Sequence, residues 1–369
     1  MRVAICTGIA GGHRRQCLQE IATYAEQQNK RLKIIDVFNV LKSVSPTPVD
    51  EATILDIPQR DRQELTIKTY RKIARELKNL RAQRQADDNF AVAIVARATF
   101  QVPGQLLKEV PRSEVRKLHP DLYISIVQNI RDLKRNLDND HFGRFRNITL
   151  LEILIWRREE IEETKKWAYP NPNYVVSRNE PASTIFNLIF RPEAKKVYAS
   201  FPISHSRSSD VEKARKLIEK LRSKNYTVFN PLAIKDEEYI KELIDERRVR
   251  RGILARHPQE EIDRIRTEVG AQTVLRDYAL IDQSDCVIVR YTAQKYLRYE
   301  EAGKIVPDVH IPLSTGVICE MVHGKDNGKR IYAVWLIKDA LPSPFFTYHS
   351  TRVFKSEREL FNHLARTRW

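Results

Sequence analysis

Apolar residues in the first half of the chain follow two alternating patterns. RVAICTG (2–8), LKIIDVF (32–38), FAVAIVA (90–96) and LYISIVQ (122–128) are short, nearly continuous apolar runs. Runs without a polar face are how strands of a parallel sheet read when both faces are covered. Between them, Cys17, Ile21 and Ala25 recur every four residues, and Leu65, Tyr70, Ile73, Leu77 and Leu80 recur at helical spacing. That spacing predicts helices, with others over about 149–168 and over STIFNLIF (183–190). The alternation implies an α/β domain with helices on both faces of its sheet.

The less regular stretch 169–195 contains YPNPNY (169–174), and RPEAKK (191–196) precedes a restart of the same alternation. KVYASFPI (196–203), YTVFNP (226–231), DCVIVRY (285–291) and RIYAVWLI (330–337) read as strands. Ser209 with Glu212 fits a capping box for a helix through Val211, Ala214, Ile218 and Leu221. RDYALIDQ (276–283) reads as a short helix, STGVICEMVHG (314–324) as another, and a final helix has Phe354, Leu360, Phe361 and Leu364 available to pack. Two α/β domains are predicted, 1–190 and 191–369, which suits 369 residues at roughly 100–200 per domain. The charged helical stretch at about 232–272 is expected to be an insertion in the second.

Composition narrows the classes. Glycine (11) and proline (17) are too sparse for a collagen-like or disordered chain. No apolar run reaches the roughly 20 residues of a membrane span, and Met1 and Arg2 lead straight into the first strand. A cytoplasmic protein without a membrane partner is expected. Cys6, Cys17, Cys286 and Cys319 form no CxxC pair and no Cys/His ligand spacing, which argues against structural zinc or a disulfide framework. Lys plus Arg is 64 and Asp plus Glu is 48, a net charge of +16. That field suits phosphorylated or polyanionic partners, although a solvated, ion-paired surface gives the same composition.

GIAGGHRR (8–15) lies between the first strand and the first helix, the setting of a phosphate-binding loop. Gly8, Gly11 and Gly12 would let backbone amides curl round an anion, helped by the helix dipole. Against GxxxxGK[ST], His13 replaces the last glycine, Arg14 the lysine and Arg15 the hydroxyl residue. Arg14 can hold phosphate, but Arg15 cannot ligate magnesium. Residues 1–190 resemble the archaeal type of adenylate kinase, a P-loop nucleoside monophosphate kinase. The resemblance extends to KIIDVFNVLKSV (33–44), QVPGQLLKEV (101–110) and HPDLYISIV (119–127). NIRDLKRNLDNDHFGRFR (129–146) resembles that family's arginine-rich lid, so Arg131, Arg135, Arg144 and Arg146 are carried over as phosphate-clamping residues. AIVARATF (93–100) lacks the acid that the family has near its magnesium. The resemblance implies a degenerate nucleotide-binding or regulatory domain, with an active kinase as the alternative and the need for magnesium open.

In the second domain, YASFPISHSR (198–207), RDYALIDQSDCVIV (276–289) and STGVICE (314–320) follow one another in order. Loops beyond the carboxyl ends of parallel strands form ligand crevices. Paired carboxylates suit cleavage of an N-glycosidic bond, which passes through a cation-like sugar. Glu320 is the candidate nucleophile and Asp277 the candidate general acid. Ser314 and the helix-start amides at Gly316 are candidates for a 5′-phosphate, with Ser206 and Arg207 completing the contact.

Residues 196–337 resemble the nucleoside 2-deoxyribosyltransferase superfamily, most of all its 2′-deoxynucleoside 5′-phosphate N-hydrolases. The resemblance implies a Rossmann-like fold, Glu320 as nucleophile, Tyr198 among the catalytic residues, no cofactor for the cleavage and oligomeric active sites. Ser314 stands where the transferase branch more often has aspartate, which favours a nucleotide substrate and hydrolysis over base exchange. A TIR-like NAD-cleaving domain and a noncatalytic nucleotide sensor are the competing readings. PSPFFTYHS (342–350), LFNHL (360–364) and Trp369 offer apolar surface either for a homo-oligomer or for docking onto the second domain. ERRVRRGILARH (246–257) is basic enough to contact nucleic acid but matches no reading motif.

Overall fold

The computed structural model describes residues 1–367 other than 51, 52, 55, 85, 86, 103, 141, 142, 144, 146, 204, 205, 207, 249–257, 293–298, 302, 303, 307–313, 338 and 339. The first stretch of chain runs β1 (Arg2–Thr7), α1 (Arg14–Gln27), β2 (Arg31–Asp36), α2 (Val37–Val44), α3 (Gln59–Gln83), β3 (Phe90–Val95), β4 (Phe100–Val102), β5 (Gln105–Leu107), α4 (Arg112–Arg116), β6 (Leu122–Val127), α5 (Ile130–Asp138), α6 (Leu150–Ala168), β7 (Asn173–Ser177) and α7 (Ala182–Phe190). There follow β8 (Lys196–Ser200), α8 (Ser208–Arg222), β9 (Thr227–Phe229), α9 (Asp236–Arg248), α10 (Gln259–Asp282), β10 (Cys286–Tyr291), β11 (Tyr299–Glu301), β12 (Lys304–Val306), α11 (Thr315–Asp326), β13 (Arg330–Trp335), α12 (Pro344–His349), β14 (Arg352–Phe354) and α13 (Glu357–Arg366). The architecture is α/β, with two separate parallel sheets flanked by helices.

The chain divides into two compact units, one of Met1–Pro192 with Leu232–Val274 and one of Glu193–Pro231 with Leu275–Trp369. The first unit holds a sheet of order β2-β3-β1-β6-β7. Every residue of β3 and β6 is buried, which accounts for their continuous apolar sequence. Helix α6 begins with a capping box in which Thr149 and Glu152 exchange hydrogen bonds. Strand β7 lies where the sequence looks irregular, and β6 recruits it by pairing Tyr123–Val127 with Asn173–Ser177.

The charged stretch after residue 231 belongs with the first unit, which differs from the expectation of an insertion in the second domain. Its apolar stripe explains this. Tyr239, Ile240, Leu243, Ile262, Ile265 and Val269 are buried in one cluster with Leu133, Leu137 and Trp156. Asp236 accepts from the Ile130 amide at 2.8 Å and pairs with Arg157 at 2.7 Å, both side chains being buried. Most of the basic segment 246–257 lies outside the described residues.

The second unit holds a parallel sheet of order β14-β13-β10-β8-β9. The chain steps from β8 to β9 on one side and then returns past β8 to β10, so the direction of winding reverses between β8 and β10. RDYALIDQ is the end of the long helix α10 rather than a helix of its own. Helix α8 already includes Ser208, so Ser209 lies inside its first turn rather than at a cap. Phe354 closes β14 instead of joining the last helix. No helix among the described residues is long and apolar enough to cross a membrane.

Candidate functional site

Strand β8 ends at the point where the second sheet reverses its winding, the position at which open α/β sheets bind ligands. Its side chains alternate between faces. Tyr198 and Ser200 therefore share one face, and both are buried. Helix α11 brings Glu320 to them. Tyr198 Oη donates to Glu320 Oε1 at 2.8 Å, and Ser200 Oγ donates to Glu320 Oε2 at 2.5 Å. Each carboxylate oxygen thus has its own hydroxyl donor.

Burial pushes the Glu320 carboxyl up to about 7, and the negative charge of Asp277 adds to the rise. The hydrogen bonds from Ser200 and Tyr198 oppose it, as does the Arg276 guanidinium. Tyr198 is itself pushed well above the usual phenol value, by burial first and then by Glu320 and Asp277. The phenol is therefore a fixed donor rather than a titrating group. Asp277, near the end of α10, accepts from Arg276 Nε at 3.0 Å and Nη2 at 2.9 Å. Tyr198, Asp277 and Glu320 are thus brought together, with the Arg276 guanidinium on Asp277.

The expected phosphate contacts are placed less uniformly. Ser314 caps the amino end of α11 without a side-chain capping bond, and its amide donates to Tyr291 Oη at 2.6 Å. Gly316 is exposed on the first turn, and a Cβ there would meet nothing within 4 Å. Packing therefore does not require a glycine at that position. Ser206 turns its hydroxyl onto the Pro202 carbonyl at 2.5 Å, away from a role as a free donor. Arg207 lies outside the described residues. Ser200 was missed in the sequence. The period-two alternation from Tyr198 was the signal that could have found it.

No protein-family model matches the chain, and no curated protein matches it.

The glycine loop of the first unit bends at its glycines and is filled by the protein's own groups. Gly8 and Gly11 have φ of 152° and 75°, and His13 adopts left-handed backbone with φ 47° just before α1. Few non-glycine residues adopt that conformation. The Arg14 side chain is buried and donates to the carbonyls of Gly8 and Ile9. Its guanidinium therefore contacts the loop's own carbonyls. The buried Glu160 carboxylate occupies the anion position at Gly8, whose amide donates to it at 3.0 Å. It also accepts from the amides of Ala98 at 2.9 Å and Thr99 at 2.7 Å, and from the Thr99 hydroxyl at 2.5 Å. Asn136 of α5 donates to the Gly11 carbonyl at 2.8 Å. A Cβ on Gly11 would meet Leu137 at 3.2 Å, so glycine there permits close helix packing. Gly12 is buried and donates its amide to the Ile9 carbonyl at 3.4 Å.

The carried-over arginines also have protein partners. Arg131 pairs with Glu242 and lies 4.8 Å from the Tyr239 ring centre. Arg135 pairs with Asp132 at 2.7 Å. Arg144 and Arg146 lie outside the described residues. Beside the loop, at the carboxyl ends of β2 and β3, is a cavity of about 430 Å³ lined among others by Arg14, Phe38, Arg62, Tyr70, Phe100 and Phe145. Arg62 donates to Glu109 through Nε and Nη2, both at 2.5 Å. The Tyr70 hydroxyl is buried with no hydrogen-bond partner among the described residues. Aromatic rings in one cavity suit a flat ligand. Among the described residues no group of three or more His, Cys, Asp or Glu side chains is placed to hold a metal ion.

Proposed function

We propose that the second unit hydrolyses the N-glycosidic bond of a nucleoside 5′-monophosphate, releasing free base and a (deoxy)ribose 5-phosphate. The observation that carries this reading is Glu320, held at both oxygens by hydroxyl donors beside Asp277. Ionised Glu320 attacks the anomeric carbon as the bond to the base breaks, and water then cleaves the glycosyl–enzyme ester. Tyr198 orients the carboxylate throughout. Asp277 takes up a proton as substrate displaces the Arg276 contact and passes it to the leaving base, and the water that cleaves the ester returns one proton to Asp277. Ser314 and the exposed turn at Gly316 take the 5′-phosphate. The cleavage uses no cofactor, and the active form is a homo-oligomer of a cytoplasmic protein, as in the superfamily that this unit resembles.

The first unit is read as a degenerate P-loop kinase-like domain. Its cradle is occupied by Arg14 and Glu160, which disfavours a phosphoryl-transfer site. The adjoining cavity is the place for a regulatory nucleotide. A panel of nucleosides, deoxynucleotides, ribonucleotides and NAD, followed by chromatography of released bases, tests the activity. Nicotinamide release from NAD alone would favour the NAD-cleaving alternative. Ser314→Ala should weaken selection for phosphorylated over unphosphorylated substrate by roughly 10–150-fold, the range of one charge-assisted hydrogen bond.

A further inference from the structure

Ser200 is a buried polar residue of the second unit whose hydroxyl meets the carboxylate on which the reaction above depends. We propose that Ser200 is a positioning residue for Glu320, its hydroxyl fixing the second carboxylate oxygen so that the side chain is presented as an oriented anion. The proposal rests on the reading of Glu320 as the nucleophile.

The argument is one of donor counting. Ser200 is 1% exposed, and its Oγ lies 2.5 Å from Glu320 Oε2, while Tyr198 Oη lies 2.8 Å from Oε1. An ionised carboxylate only accepts hydrogen bonds, at about four lone-pair sites, whereas a protonated one carries its own O–H. Two hydroxyls aimed at two oxygens therefore match the anion and leave two lone-pair directions for attack. A protonated Glu320 would put a third hydrogen into the same arrangement. Both donors sit on β8, two residues apart, and Ser200 is in register with Val289 of the neighbouring β10. The serine is thus held on a central strand rather than a loop, which favours positional accuracy. Tyr198 of β8 and Arg276, Asp277 and Tyr278 of α10 are the titratable and charged groups that act on Glu320 or are acted on by it among the described residues. Asp277 opposes ionisation, and the two hydroxyl donors and Arg276 favour it.

The test uses the full-length chain carrying Ser200→Ala, Ser200→Cys or Ser200→Thr. Cysteine keeps the volume with a weak donor, and threonine keeps the hydroxyl. Infrared difference spectra, each taken against the same protein with Glu320→Gln, follow the Glu320 carboxyl directly through a pH titration. Ser200→Ala and Ser200→Cys should raise its midpoint by about one pH unit, a tenfold change in proton affinity, and Ser200→Thr should restore it. In the base-release assay, kcat should fall at least about tenfold in the first two variants with KM little changed. An unchanged midpoint in folded Ser200→Ala and Ser200→Cys proteins would overturn the proposal. A shifted midpoint without base release from any substrate by the unmutated protein would uphold the Ser200–Glu320 coupling and defeat the glycosidase reading.

Discussion

Tyr198 donates a hydrogen bond to Glu320 from a ring with no exposed surface. The strand fixes the phenol, and the phenol fixes the carboxylate. Tyr198→Phe removes the donor while keeping the packing. A hydrogen bond to a charged group contributes about 1.5–3 kcal/mol, so kcat should fall roughly 10–150-fold. Circular dichroism should match the unmutated protein. Full activity in Tyr198→Phe would remove the tyrosine from the mechanism.

Glu320 should weaken the fold that carries it. Its carboxyl is held up to about 7 by burial and by Asp277, whereas an unfolded glutamate titrates near about 4.3. Across that window the folded chain binds more protons than the unfolded one, so stability falls as pH rises from about 4 to 7. Glu320→Gln removes the titration. It should be more stable than the unmutated protein at pH 8, by roughly 3–4 kcal/mol seen as a higher thermal transition, and the difference should shrink toward pH 4. An equal difference at both pH values would contradict the raised carboxyl.

The strands of both sheets were largely legible because β3, β6, β8 and β10 are buried at nearly every position and so lack polar interruptions. β7 and β14 were not. Each is a short edge strand, five and three residues long, and takes its conformation from a single neighbour rather than from its own pattern. The location of 232–274 was also hidden. Helical periodicity marks an apolar stripe without saying which surface will cover it, and Arg157 and Asp236 meet across 79 positions of sequence. In the candidate site, Glu320 and Asp277 stood out as chemistry-bearing residues. Ser200 did not, because a serine at a strand end reads as turn-forming. The glycine loop was legible as backbone, but its content was not. Glu160 reaches Gly8 from 152 positions away, and no local pattern reports that.

Glu160 should be a structural anion of the first unit. Three amides and one hydroxyl converge on its buried carboxylate. Glu160→Ala leaves four donors without their acceptor, and each unsatisfied buried group costs about 1–3 kcal/mol. Urea unfolding should show a loss of at least about 3 kcal/mol, or failure of the first unit to fold. A loss below about 1 kcal/mol would mean that water replaces the carboxylate.

The occupied loop should disable phosphoryl transfer. Arg14 faces the Gly8 and Ile9 carbonyls, so it is not presented as a lysine-like cation to a β- or γ-phosphate. Coupled assays with ATP, AMP and magnesium should detect no ADP formation above background. Calorimetry with ATP, ADP and AMP should show any binding to be insensitive to added magnesium. Robust magnesium-dependent ADP formation would require the loop to open and would restore the kinase reading.

The most direct test of the account is chromatography of free base released from nucleoside 5′-monophosphates by the unmutated chain and by Glu320→Gln. The unmutated chain should release base, and Glu320→Gln should be folded with turnover reduced by several orders of magnitude. Full base release by Glu320→Gln, or none by the unmutated chain from any substrate in the panel, would contradict it.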